Sequence, residues 1–302
     1  MRVFIIHFGW KLKPKTVPYL VYLPEDSTKE EVYALKPGAN ITIKIAPNES
    51  KYCIGFNNYE DARFSCPTAE KIPMNRSQCQ SCSLNEFFFC RALCQGDFCQ
   101  PSSEEAKEYC WKKNAYVYLT YIAGKIKVGS STSPHRRWIG QGSDAGISIA
   151  KGVGLAPRAL EHQIGTKYSL PLGIRLTQKV KLLGKSIDKK TIEKEIMLLV
   201  DEIQKSMKSE ILIPRDKLEP ITFLDEFYGN IPTITARPIL KKLESTGLEI
   251  SGEIIGIKGT ILVVKNVGTY FALNLSTLIG LNATITDDAQ EMKGQKSLFD
   301  FV

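Results

Sequence analysis

The run Tyr116-Val117-Tyr118-Leu119-Thr120-Tyr121, followed by Lys125-Ile126-Lys127-Val128-Gly129-Ser130-Ser131, sets two short apolar strands against each other across Ala123-Gly124. Behind them, Ser133-Pro134 opens a helix over residues 134–139, with Ser133 as cap and Pro134 at the first helical position. A second helix starts near Pro157 and runs past Glu161. In this arrangement Tyr118 lies on a strand whose neighbour ends at Gly129. Arg137 falls on the following helix and Glu161 on the one after it. A phenol, a guanidinium and a carboxylate then gather at the end of a small sheet. Phosphodiester hydrolysis calls for a base that activates water, a cation for the phosphate oxygens and a carboxylate that holds a metal. Glu161 stands out because acid is scarce here; a structural counter-ion among cations is its other reading.

The charge points to the same segment. The chain has 302 residues, 40 basic and 32 acidic, for a formal +8. Between Ala115 and Lys185 there are eleven basic residues and only two acidic ones, Asp144 and Glu161, so that segment carries +9. The remainder nets −1. Positive charge concentrated in about a quarter of the chain suits phosphate contacts, with Lys125, Arg136, Lys151 and Arg158 as the expected nucleic-acid-binding residues. A solvated basic face without a ligand is the alternative.

All eight cysteines lie between Cys53 and Cys110. Cys79 and Cys82 form a Cys-x2-Cys pair, which brings two thiolates to one tetrahedral ion from a tight turn. Cys53 and Cys66 precede it at twelve-residue intervals, and Cys90, Cys94, Cys99 and Cys110 follow. Eight ligands divide into two structural zinc sites, Cys53, Cys66, Cys79 and Cys82 in one and the last four in the other; interleaved pairing stays open. The three histidines lie outside the block, so both sites would be all-thiolate and closed. An iron–sulfur cluster is the rival for the second group, and disulfides are a further alternative. The block holds little else to build a core, so metal would supply much of its folding energy.

The layout implies an α+β, multidomain chain. Residues 1–52 read as a small β region, 53–112 as the cysteine module and 113–185 as the basic α/β module with a small antiparallel sheet. Residues 186–246 are a helical connector, 247–290 a small β domain that would suit a closed or half-closed barrel, and 291–302 a tail. In the connector, Asp188 caps a helix that places Ile192, Ile196, Leu199, Val200, Ile203 and Met207 on one face. No apolar run exceeds five residues and the N-terminus lacks a signal-peptide stretch, so the expectation is a cytoplasmic protein with no membrane partner.

The basic module resembles the GIY-YIG nuclease superfamily over about 60–70 residues. Tyr116-Val117-Tyr118 corresponds to the first motif and keeps the tyrosine that activates water. Lys127-Val128-Gly129 corresponds to the second, with lysine in place of tyrosine. Arg137-Trp138 matches the catalytic arginine, and Glu161 looks like the single glutamate that binds Mg2+ or Mn2+. The resemblance implies Tyr118, Lys127, Arg137 and Glu161 as catalytic residues. Gln141 stands where the family often has a histidine, and Pro171-Leu172-Gly173 offers no counterpart to its asparagine. Lys127 remains suited to bind phosphate or to lower the pKa of Tyr118 by proximity. The whole layout also resembles an uncharacterised prokaryotic family with an eight-cysteine front, an Arg-Trp-x-x-Gln-Gly run (Arg137–Gly142) and a late Gly-Ile-Lys-Gly turn (Gly256–Gly259).

The chain ends with Gln295, Leu298, Phe301 and Val302 spaced as in the motif by which repair and replication proteins dock on the PCNA sliding clamp, and one helical turn would align the three apolar residues. Val302 replaces the last aromatic. A tail tucked onto its own domain is the other reading. These features imply a metal-dependent, structure-specific DNA endonuclease tethered to the clamp. The alternative is a non-catalytic nucleic-acid-binding adaptor on the same fold, with RNA or ribosome association not excluded.

Overall fold

A computed structural model of the chain describes residues 1–58, 63–92, 94, 96, 98–185 and 188–290. It is a mixed α+β structure, with a nine-stranded sheet, a four-stranded sheet, two two-stranded ribbons in the cysteine segment and a cysteine cluster. Gln295, Leu298, Phe301 and Val302, the expected clamp-binding residues, lie outside the described residues.

The N-terminal strands are β1 (Arg2–Lys11), β2 (Val17–Pro24), β3 (Glu31–Ala34) and β4 (Asn40–Ile45). The cysteine segment carries four two-residue strands, β5 (Lys51–Tyr52), β6 (Phe56–Asn57), β7 (Arg63–Phe64) and β8 (Lys71–Ile72), then helices α1 (Gln80–Asn85) and α2 (Glu104–Lys112). The basic module runs β9 (Ala115–Ile122), β10 (Lys125–Ser131), α3 (Pro134–Gln141), β11 (Ala145–Gly152), α4 (Ala156–Lys167) and α5 (Leu176–Lys181). The connector helix α6 (Lys189–Ser206) follows, then β12 (Thr222–Phe223). The C-terminal strands are β13 (Ile239–Lys241), β14 (Leu248–Lys258), β15 (Ile261–Asn266), β16 (Thr269–Asn274) and β17 (Asn282–Thr286).

Strands β1–β4 and β14–β17, from the two β regions that the sequence reading separates (1–52 and 247–290), lie in one sheet with β13 from the connector. Its order is β13-β16-β15-β14-β4-β17-β1-β2-β3. β4 lies between β14 and β17, pairing Ile43 with both Ile250 and Ile285, and β1 pairs with β17 through Val3 and Ala283. The physical reason is burial. Ile5, Ile41, Ile43, Ile250 and Leu262 are fully buried in a single cluster that neither terminal segment could close alone. The row has nine strands, with β3 and β13 at its ends, so among the described residues it is not closed edge to edge.

The second sheet, order β10-β9-β11-β12, is antiparallel and belongs to the basic module. One face packs on α4 and α6: Val117, Leu119 and Ile147 meet Leu160, Ile164, Ile192, Ile196, Val200 and Ile203. Asp188 caps α6 as expected, accepting the Lys190 N–H at 3.2 Å. The other face carries Tyr118 and packs on α3, whose Trp138 and Ile139 merge into the core of the large sheet. α3 is therefore the wall between the two sheets. Its Ser133 makes no side-chain cap, contrary to expectation; Pro134 does stand in the first turn.

The seam beside α3 joins the two glycine-containing runs noted in the sequence. Gly142 ends α3 in the left-handed region at φ 71°. Gly259 is left-handed at φ 64°, and a Cβ there would lie 2.7 Å from the Gly142 nitrogen. Only glycine on both sides lets the backbones approach this closely. Lys258 pairs with the buried Asp144 across the same seam, and Trp10 Nε1 donates to the Gly259 carbonyl at 2.9 Å.

Candidate active site and metal centre

Tyr118 on β9 faces Gly129 on β10 in register. The ring lies directly over that glycine, since a Cβ at Gly129 would sit 2.5 Å from the Tyr118 hydroxyl and ring. The Trp138 ring meets it edge-on, with centroids 5.9 Å apart at 75°. Tyr118 is thus held between a missing side chain and an indole, and is 1% exposed. Trp138 is fixed in turn by Gly146, where a Cβ would fall 2.5 Å from the indole.

Burial pushes the Tyr118 phenol above its ordinary value. The Arg137 guanidinium beside it pulls down, Glu161 adds to the rise and the Gln141 amide opposes it. The lowering expected from Lys127 is therefore outweighed, and the cation that acts on the phenol most strongly is Arg137. Gln141, noted as a departure from the nuclease pattern, sits beside the phenol. The Trp138 Nε1, Gln141 Oε1 and Thr120 Oγ1 atoms are buried and have no hydrogen-bond partner among the described residues. Buried polar atoms in that state mark a place where ordered water fits.

Glu161 reaches the same strand from the opposite face. It lies on α4, half-buried, and accepts a hydrogen bond from the Ser130 hydroxyl on β10. Lys127, on the same strand, is half-buried; burial and the nearby Arg137 hold its pKa below the usual lysine value, and Glu161 pulls it up. β10 is an edge strand of the small sheet. Arg137, Lys127 and Glu161 reach this edge, while the Tyr118 phenol is enclosed behind it, beside the Arg137 guanidinium.

Two cavities open there. One, of about 420 Å³, is lined by Ser130, Arg137, Arg158 and the four cysteines Cys90, Cys94, Cys99 and Cys110. The other, of about 590 Å³, is lined by Lys127, Arg158, Glu161 and His162. Of the expected nucleic-acid-binding residues, only Arg158 lines both. Arg136 is exposed beside Arg137 but lies towards β1, where its charge, after burial, lowers the pKa of His7. Lys151 lies over the Tyr116 ring, 5.5 Å from its centroid. Lys125 stands at the opposite end of β10 from Ser131. The spacing gave no sign of Ser130 as the residue that orients Glu161, or of Arg158 as a cleft residue rather than one basic residue among many.

The first cysteine group brings four thiols close enough together to hold one metal ion. The Sγ atoms of Cys53, Cys66, Cys79 and Cys82 all lie within 4.8 Å of one another. A tetrahedral zinc ion with Zn–S near 2.3 Å holds its sulfurs about 3.8 Å apart, and Cys66 and Cys79 are 4.0 Å apart here. Backbone amides already point at the sulfurs. The Cys79 N–H donates to Cys53 at 3.2 Å, and the Cys82 N–H to Cys79 at 3.5 Å, at the cap of α1. The Cys66 thiol has a pKa of about 6; burial raises it, but the Thr68 hydroxyl and backbone N–H groups outweigh that effect. Cys82 is pushed well up by burial and the other sulfurs. A cation among these four sulfurs would relieve the crowding. The donor set fits zinc and a closed structural site.

Cys90, Cys94, Cys99 and Cys110 share one cavity instead. Among the described residues they do not converge to the spacing of the first four. The Phe87-Phe88 pair packs on Tyr109 of α2, at 6.1 and 5.0 Å between centroids, and ties the two cysteine segments together.

Residues 38–282 match the family described as protein of unknown function (DUF2797), a span that takes in the cysteine segment, the basic module and most of the large sheet. The chain belongs to this family. No curated protein and no solved structure matches the chain. No helix of this DUF2797 member, among the described residues, is long and apolar enough to cross a membrane.

Proposed function

We propose that the chain is a metal-dependent, structure-specific DNA endonuclease of GIY-YIG type. The observation that carries the reading is the gathering of Arg137, Lys127 and Glu161 around two cavities at the edge strand β10, with the Tyr118 phenol enclosed behind them next to Arg137, in the segment that carries the net +9. Arg137 and Lys127 bind the oxygens of the scissile phosphate. Tyr118, with Gln141 and the surrounding unpartnered polar atoms, orients and deprotonates the attacking water. Ser130 fixes the Glu161 carboxylate, which would hold one Mg2+ or Mn2+. Bound there, the ion would supply Lewis-acid stabilisation of charge on the phosphate. Arg158 extends the cationic track from one cavity to the other. Zinc at Cys53, Cys66, Cys79 and Cys82 is structural. The tail from Gln295 to Val302 tethers the enzyme to the PCNA clamp in repair or replication, in the cytoplasm.

The adaptor reading has one observation in its favour, the 1% exposure of Tyr118. A phenol so enclosed must open towards water to act, whereas a binding module needs no opening. Incubation of flap, fork, bubble and linear DNA with Mg2+ or Mn2+ separates the two. The endonuclease cleaves at least one branched form and the adaptor binds without cutting. For the tail, the paired change Leu298→Ala and Phe301→Ala abolishes clamp binding in a pull-down; undiminished binding removes the tether from the account.

A further inference from the structure

The second cysteine group lies against the proposed cleft, and its position connects metal with catalysis. Cys94 follows Cys90 by one turn, with the Cys94 N–H on the Cys90 carbonyl at 3.0 Å. That spacing puts the two residues on one side of the turn. Cys110 is on α2, and with Cys99 it faces the same 420 Å³ cavity. Arg137 and Ser130 complete that cavity, so the cysteines and the proposed phosphate ligand share one wall.

The loop that bears Cys94 also rests on α4. Arg158 Nη1 donates to the Cys94 carbonyl at 3.2 Å, and Gly96 packs on the His162 imidazole, where a Cβ would lie 3.2 Å from the ring. Arg158 and His162 are one helical turn apart and flank Glu161 in sequence. Any rearrangement that gathers Cys94 and its neighbour Cys99 with Cys90 and Cys110 around one ion therefore acts on the helix that presents Glu161.

We propose that Cys90, Cys94, Cys99 and Cys110 form a second, conditional thiolate metal site, whose loading closes the wall of the cleft and fixes Arg158 and Glu161 for nucleic acid. The inference rests on the reading of the basic module as a phosphate cleft. It differs from two equivalent structural zincs, because the four sulfurs of the first group all lie within 4.8 Å of one another, while in the second group Cys94 and Cys99 are in contact but the four together do not reach that spacing. The first builds its segment; the second couples metal supply to DNA engagement.

The test uses full-length protein, zinc and a fluorescent forked DNA without Mg2+ or Mn2+, so that affinity is read independently of cleavage. A mild chelator removes the second ion first, and zinc is then returned by equivalents. The proposal expects two zinc ions per chain at saturation and a gain in DNA affinity of roughly tenfold or more with the second ion, the scale on which partners of a metal shell act. The paired change Cys94→Ser and Cys99→Ser should hold one zinc ion and stay at the lower affinity. The wild-type titration decides the matter even where that variant misfolds. One zinc ion per chain at saturation, or a second ion without effect on affinity, overturns the proposal. Two ions with no DNA binding at either loading overturns the nuclease reading and with it the coupling. One ion with tight DNA binding overturns the second site alone.

Discussion

The basic module contains two acidic residues, and their surroundings differ throughout. Asp144 is 6% exposed, accepts the Ala123 N–H at 3.0 Å and pairs with Lys258 from the large sheet. Glu161 is half-buried on α4, takes the Ser130 hydroxyl and faces a cavity with Lys127 and Arg158. Both are carboxylates among the same cations. Asp144 is consumed by the seam between the sheets, while Glu161 is oriented by a neutral hydroxyl at the lining of a cavity. Scarcity of acid drew attention to both; the origin of the partner separates them. A cation from another sheet makes Asp144 a structural joint, and a hydroxyl from the adjacent strand positions Glu161 without neutralising it, as the proposed metal-holding role requires.

Substitutions can break this contrast. Glu161→Ala should lower the cleavage rate by on the order of a thousandfold and leave the unfolding free energy within about 0.5 kcal/mol; denaturant titration of the same sample checks the second part. Asp144→Ala should do the reverse. It strands Lys258 and the Ala123 N–H, and breaking a buried pair costs about 3 kcal/mol, seen as a lower denaturation midpoint with the activity of the folded fraction retained. If both variants lose only stability, Glu161 is another joint.

Two smaller effects sharpen the cleft side. Burial holds the Tyr118 phenol above its ordinary value, so at neutral pH it is protonated. The form that accepts a proton from water increases with pH, so cleavage should rise about tenfold per pH unit between pH 7 and 9. A flat profile that persists in Tyr118→Phe would remove the phenol as base. Arg158→Ala should reduce the slope of log affinity against log salt by about one, and uniformly across DNA sequences. Arg136→Ala should do less, because Arg136 lies away from both cavities, towards β1.

Much of the site was legible locally. The strand pair, the proline-started helix and the apolar face of α6 follow from patterns that span fewer than twenty residues, and Ile192, Ile196, Val200 and Ile203 are all buried as that face requires. Cys79 and Cys82 were legible for the same reason, the Cys-x2-Cys turn being a local device, while Cys53 and Cys66 joined them by count and even spacing. The large sheet was not. β1 pairs with β17 and β4 with β14, across more than two hundred residues, and an apolar strand alone carries no mark of its partner. The Asp144–Lys258 pair and the Gly142–Gly259 approach were hidden likewise, although both runs were visible as motifs. α2 passed as part of the cysteine block because its mean hydropathy is low and one buried residue, Ala106, anchors it.

The central claim is that Arg137 and Glu161 serve a scissile phosphate. Arg137 is exposed, so removing it should not disturb the core around Trp138. The most direct measurement is single-turnover cleavage of a forked DNA in Mn2+ by wild type and Arg137→Ala at matched bound fraction. The account predicts a cut product for wild type and none for the variant while both remain folded. Equal behaviour of the two, either cutting alike or inert alike on every branched substrate, would contradict it.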